Sequence, residues 1–249
     1  MTFTGVGALQ EWLADQPENT AANPYRIKVT EIDLASNTAV NLKGLYAALS
    51  RYVALDLSDC TGEKISNNKS AGKAKITEII LPLNLTTVEN NAFEGCTELT
   101  TIDMPGVTTI EHLAFYGCKK LETVHMEKVE AITNTTAKGN GAFDQCKALT
   151  SVSLPNATEI GKLTFNGCDL LSTVNLPKVA TIGEKAFAGC KKLASLTLGA
   201  TIPELGTTVF AAGNPDFIYV PASALSAYKT TTKANWTDLK AKVQALLAG

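Results

Sequence analysis

Six cysteines and two histidines are the residues in this 249-residue chain with the most obvious capacity for chemistry. The cysteines are Cys60, Cys96, Cys118, Cys146, Cys168 and Cys190, and the histidines are His112 and His125. An even cysteine count allows disulfides, but zinc would want a C-x-x-C pair and a tetrahedral cluster, and no such pair is present. A Cys–His nucleophile would need an exposed thiol beside an imidazole, which only Cys118 and His112 approach in sequence. Glu111-His112 lacks the second histidine of H-E-x-x-H, no G-x-S-x-G occurs, and Gly161-Lys162-Leu163-Thr164 lacks the glycine spacing of a phosphate loop. No catalytic residue, metal ligand or cofactor is therefore expected.

The spacing of the cysteines says more than their number. Ala92-Phe93-Glu94-Gly95-Cys96 returns as Ala114-Phe115-Tyr116-Gly117-Cys118 and Ala142-Phe143-Asp144-Gln145-Cys146. It returns again as Thr164-Phe165-Asn166-Gly167-Cys168 and Ala186-Phe187-Ala188-Gly189-Cys190. The phenylalanines step by 22, 28, 22 and 22 residues. Each block leads into a short alternating segment that closes on an apolar residue and usually a proline, as in Ile102-Asp103-Met104-Pro105 and Val174-Asn175-Leu176-Pro177. A further isoleucine follows at Ile110, Ile132, Ile160 and Ile182.

Period-2 alternation turns Ile102 and Met104 inward and Thr101 and Asp103 outward. Proline ends the strand because it has no N–H to donate. A coil of about 22 residues cannot bury its own apolar side, so such coils must stack. The cysteines then form a buried column of free thiols. Side chains stacked in register point the same way, which holds their Cβ atoms farther apart than a disulfide prefers. Cys60 is expected at the ragged end of that column. The strand signature extends upstream to Ile32-Asp33-Leu34, Leu55-Asp56-Leu57 and Ile79-Ile80-Leu81, and downstream to Leu196-Thr197-Leu198 and Ile218-Tyr219-Val220. That makes about nine parallel strands, a sheet on the order of 40 Å long.

A run reading A-F-x-x-C-x-x-L-x-x-I-x-L-P-x-x-x-x-x-I resembles the treponemal or BspA-like bacterial leucine-rich repeats, most clearly over residues 76–221. The resemblance implies an α/β repeat solenoid: a right-handed superhelix with a parallel sheet, Phe-bearing segments on the opposite wall and helical caps. It also implies a secreted or surface-attached protein, some relatives being adhesins for host matrix or other cell-surface proteins. Three regions are expected: an N-terminal cap over 1–52, the repeat array over 53–221 and a helical cap over 222–249. Helices are expected at Ala8–Leu13 and Asn41–Leu49, and in a tail that places Trp236, Leu239, Val243, Leu246 and Leu247 on one face.

Near-balanced charge, −2 overall, gives no electrostatic case for nucleic acid. No apolar run is long enough to span a bilayer. Residues 1–4 show neither a basic nor an apolar leader segment, which leaves cytoplasm and periplasm open beside the cell surface that the resemblance implies.

Two stretches break the period: 133–141, with six extra residues, and 62–75, which carries Lys64, Lys69, Lys73 and Lys75. Both read as polar surface loops, with the lysines solvated. The remaining surface is a ladder of outward strand residues. One column reads Asp33, Asp56, Ile80, Asp103, His125, Ser153, Asn175, Thr197, Tyr219, and beside it run Glu31, Ala54, Glu78, Thr101, Thr123, Ser151, Thr173, Ser195, Phe217. Within it Asp56, Ile80, Asp103, His125, Asn175, Thr197, Phe217 and Tyr219 are the candidate ligand-contacting residues. Its early rungs read as acidic, its middle as hydroxyls and its end as aromatic. A non-enzymatic protein-binding module fits this surface. A self-associating architectural protein, dimerising through an apolar patch near Ile80, is the alternative, and a hydrolase of unknown type is the outlier.

Overall fold

The computed structural model describes residues 1–36, 42–66, 71–134 and 139–246. Two parallel walls and a column of rings build the solenoid. The first wall holds the strands Thr2–Thr4, Tyr25–Thr30, Val53–Asp56, Ile76–Ile80, Thr101–Asp103 and Thr123–His125 in one ladder. Ser151–Ser153, Thr173–Leu176, Ser195–Leu198, Phe217–Val220 and Val243–Ala245 form a second ladder. All neighbours are parallel, for example Ile102 opposite Val124 and Val174 opposite Leu196, with one register shift between Val53 and Ala54 against Ile76–Ile80. The second wall is made of two-residue strands, among them Thr109–Ile110, Ala131–Ile132 and Glu159–Ile160. The recurring isoleucines read from the sequence are the inward residues of this wall: Ile110, Ile132, Ile160 and Ile182 are all buried.

Opposite the strand wall, Phe93, Phe115, Phe143, Phe165, Phe187 and Phe210 stack. Successive ring centroids lie 4.8–5.7 Å apart and the planes tilt by only 7–15°. The closest pair, Phe115 and Phe143 at 4.8 Å, spans the 28-residue step. The extra residues therefore leave the ring column untouched. They part the strand wall instead. Glu122 N donates to Thr100 O, and Ser172 N to Thr150 O. Between these rungs Ala148 N turns to Lys119 O at 3.2 Å, and the ladder is interrupted between Thr123–His125 and Ser151–Ser153.

Several expectations are corrected at the ends. The first long strand is Tyr25–Thr30, with Arg26 opposite Ala54 and Lys28 opposite Asp56. Ile32-Asp33-Leu34 lies beyond it, where Asp33 bridges Thr61 and Leu34 N donates to Thr61 O. Both segments alternate. Ile27 and Val29 fill the strand-wall core, while Ile32 and Leu34 fill it from the turn. The Tyr25–Thr30 rung is thus basic where Glu31 and Asp33 were expected, while the two rungs after it carry Asp56 and Glu78. At the other end the expected long helix is a 3-10 turn, Thr237–Lys242, followed by the strand Val243–Ala245 against Phe217–Val220. Trp236, Leu239 and Val243 are buried, Leu246 is exposed, and Leu247 lies outside the described residues. The helices near the N-terminus span Gly5–Asp15 and Leu42–Ala48. Residue 41, expected within the second, lies outside the described residues.

The lysine-bearing stretch is not uniformly solvated either. Lys69 lies outside the described residues, but Lys73 is buried and its Nζ donates to Asn91 O at 3.1 Å and Ala92 O at 3.3 Å. The reason lies in the rail along the ring column. Phe93 N donates to Ala114 O and Phe115 N to Ala142 O, each coil satisfying the next. No phenylalanine precedes Phe93 in the column to serve Ala92 O, and the Lys73 ammonium takes its place. Removing that donor orphans a buried carbonyl, which costs on the order of 2 kcal/mol. Lys73→Met is therefore expected to lower the urea midpoint with an unchanged m-value, as chemical denaturation would measure.

Candidate interaction surface

The cysteine column closes off the most obvious chemistry. Four of its thiols donate to the phenylalanine carbonyl one coil back: Cys118 Sγ to Phe93 O at 3.2 Å, Cys146 to Phe115 O at 3.2 Å, Cys168 to Phe143 O at 3.3 Å and Cys190 to Phe165 O at 3.2 Å. All six cysteines are buried and unbridged. Cys60 is not in this column. It sits three residues past the strand-closing Leu57, the place held by Val107, Val129 and Val179 in later coils, and donates to Val29 O at 3.1 Å. Its resemblance to the column was one of residue type, not of position.

Burial opposes thiolate formation, and it pushes Cys60 up to about 11 and Cys190 up to about 12. Cys118, Cys146 and Cys168 are also raised, chiefly by burial. Since the thiolate is the reactive form, native protein at pH 8 is expected to react with none of a thiol reagent, and denatured protein with six equivalents. The folded values lie above the unfolded ones. The stability these thiols contribute is therefore full below about pH 9 and falls as pH rises through the folded values near 11 and 12. Among the described residues no group of three or more His, Cys, Asp or Glu is placed to hold a metal.

The strand wall brings all eight predicted contact residues to one outward face, but in two parts of different character. In the six-stranded part the charges answer one another. Arg26 makes a two-pronged bond across Ala54 to Glu78, at 2.8 and 2.9 Å. Lys28 lies 3.8 Å from Asp56 and 2.9 Å from Asp59. Asp56 also accepts from Ser58 N. His125 Nδ1 stands 3.9 Å from Asp103 Oδ1, on the last rung before the ladder parts. Ile80 is exposed between Asp56 and Asp103.

In the five-stranded part the outward residues are uncharged up to the final rung. Asn175 donates to Ser153 Oγ at 3.3 Å, and Thr197 follows it in register. Phe217 and Tyr219 come next, with centroids 6.1 Å apart and Phe217 43% exposed. The terminal strand does not hide them: it pairs Gln244 with Tyr219 and begins at Val243, opposite Ile218. Sequence reading missed Arg26, Lys28 and Gln244 as face residues. The alternation of Tyr25-Arg26-Ile27-Lys28-Val29 was the signal available for the first two.

Stacked parallel coils with one long-stranded wall, a ring column and a buried cysteine column define a leucine-rich-repeat solenoid. The family model described as BspA type leucine rich repeat region matches in six copies, over residues 63–177 and 122–233, and the chain belongs to that family. The solved structure of a T. pallidum leucine-rich-repeat protein is similar at 25% identity and a TM-score of 0.57, over 74% of this chain and 85% of that one. A leucine-rich cell surface protein from Faecalibacterium prausnitzii A2-165 matches at 18% identity and TM-score 0.30, over 81% of this chain and 74% of that one. A leucine-rich-repeat protein from Bacteroides ovatus ATCC 8483 matches at 16% and 0.29, over 89% and 84%. No curated protein sequence matches. No helix among the described residues is long and apolar enough to cross a membrane.

Proposed function

We propose that the chain is a non-enzymatic protein-binding module that works through the outward face of its strand wall, in an adhesin-like role at the cell surface. The observation that carries this reading is the division of the face. The charged half holds its side chains in pairs such as Arg26 with Glu78 and Lys28 with Asp59, whereas the uncharged hydroxyl-and-amide half, ending in Phe217 and Tyr219, is cheap to desolvate. Exposed aromatics beside small polar residues are the composition of binding hot spots. Family membership supports the surface location and a partner among host matrix or other cell-surface proteins.

Surface plasmon resonance against a panel of extracellular-matrix proteins tests the reading. A partner bound by the wild type is expected to lose on the order of 2 kcal/mol of affinity with Phe217→Ala or Tyr219→Ala. Undiminished binding by the double variant and by Asp103→Ala would sink the face assignment. Self-association is a second reading, favoured by one observation: Met1 and Ile80, 71% and 42% exposed, flank a groove of about 280 Å³ at the other end of the face. Sedimentation showing only monomer at high concentration would count against it.

A further inference from the structure

We propose that the ring-column wall carries a second site, independent of the strand face, that takes a neutral saccharide. A cavity of about 610 Å³ opens there across four successive coils, within the size range of small-molecule sites. Its floor is glycine. A Cβ built at Gly95 or Gly117 would meet nothing within 4 Å, whereas Gly167, the same position two coils later, is covered by the Gln145 amide. Gln145 is where the glycine of the repeat is replaced, and it closes one end of the open floor.

The polar groups around this floor are held in place. Asp144 is buried, and its carboxylate accepts from Asn166 Nδ2 at 2.9 Å and Gln145 Nε2 at 3.2 Å. With those donors committed, both amides are oriented and Asn166 Oδ1 and Gln145 Oε1 remain as acceptors. The Asn140 side chain and the Tyr116 hydroxyl also line the cavity and have no hydrogen-bond partner among the described residues. Tyr116 adds a half-buried ring.

Charge decides between ligand classes. Glu94 and Asp144 are matched by Lys119 and Lys147 in the same lining, so neither an anion nor a cation is favoured. Polar groups all round disfavour an apolar ligand. A ring bearing hydroxyls on adjacent carbons supplies a donor and an acceptor at each vertex and C–H faces for the aromatic ring. A neutral pyranose meets all of these conditions.

Saturation-transfer NMR on the full chain with methyl glycosides, maltose, cellobiose and lactose tests the proposal. At least one sugar is expected to give a saturable signal. Gly117→Asn keeps a residue tolerated at the observed φ of 72° and puts a side chain over the floor. It is expected to weaken that signal about tenfold or more while the melting curve stays cooperative. Tyr116→Ala, which makes no demand on the backbone, is expected to weaken it as well. Phe217→Ala/Tyr219→Ala is expected to leave it unchanged, which separates this site from the strand face. The proposal is overturned if no sugar saturates, if Tyr116→Ala and a folded Gly117→Asn both bind as the wild type does, or if trialanine displaces the sugar.

Discussion

Phe143→Ala is expected to cost about 3–5 kcal/mol, the range for emptying a buried phenylalanine site, and to do more than lower the midpoint. Phe143 stacks on Phe115 at 4.8 Å and on Phe165 at 5.4 Å, so the substitution removes two ring contacts at once. It does so in the coil where the strand ladder is already interrupted. On that step the ring column and the second wall carry most of the coupling between the two parts of the array. In a stack whose stability is the sum of coil and interface terms, weakening one interface lets the parts unfold separately. Urea denaturation followed by circular dichroism is expected to broaden or split into two transitions. Phe187→Ala, placed where the ladder is continuous, is expected to give a single shifted transition. A single sharp transition for Phe143→Ala at the wild-type midpoint would contradict the coupling assigned to the ring column.

Gly141→Ala is expected to be nearly as damaging, on the order of 3 kcal/mol, although it adds one methyl group in a stretch that reads as loop. A Cβ at Gly141 would run into the backbone of the next coil, at Leu163 O and Thr164 N. Neither atom is the end of a flexible side chain, so the coils themselves must separate. The same two coils carry the Phe143 N to Thr164 O bond at 2.8 Å, which would lengthen. A thermal melt compared with the wild type measures the loss. A melt unchanged by Gly141→Ala would show that the coils can part there without cost.

The repeat was legible because its signal is redundant. Five copies of Phe and Cys at fixed offsets fix the ring column, the thiol column and the inward face of each strand at once. What could not be read is what happens where redundancy ends. Ile32-Asp33-Leu34 has the same apolar–Asp–apolar pattern as Leu55-Asp56-Leu57, and alternation alone cannot rank it against Tyr25–Thr30. The ranking is set by the Thr2–Thr4 strand, which pairs Lys28 to Thr30 and fixes the register from outside. Val243 carries helical spacing with Trp236 and Leu239, yet the open edge of Phe217–Val220 offers backbone partners that a helix could not use. Lys73 is buried because the Ala92 carbonyl, 19 residues further on, lacks a backbone donor, a fact invisible to any local pattern. The outward strand face was legible as a surface. Its division into a charged and an uncharged half was not, because that follows from where the ladder parts and from pairs such as Arg26 with Glu78, 52 residues distant.

The thiol ladder also sets a race during biogenesis. Protection belongs to the assembled stack, since all six sulfurs are buried only once the coils pack. A nascent chain has none of that shielding. If it emerges into an oxidising compartment, six unprotected sulfhydryls can cross-link wrongly until the coils close over them. Correct maturation there requires stacking to outrun oxidation, or a reductant or holding chaperone to buy the time. The finished molecule, by contrast, is indifferent to the redox state of its surroundings, which suits a scaffold that carries no covalent staples.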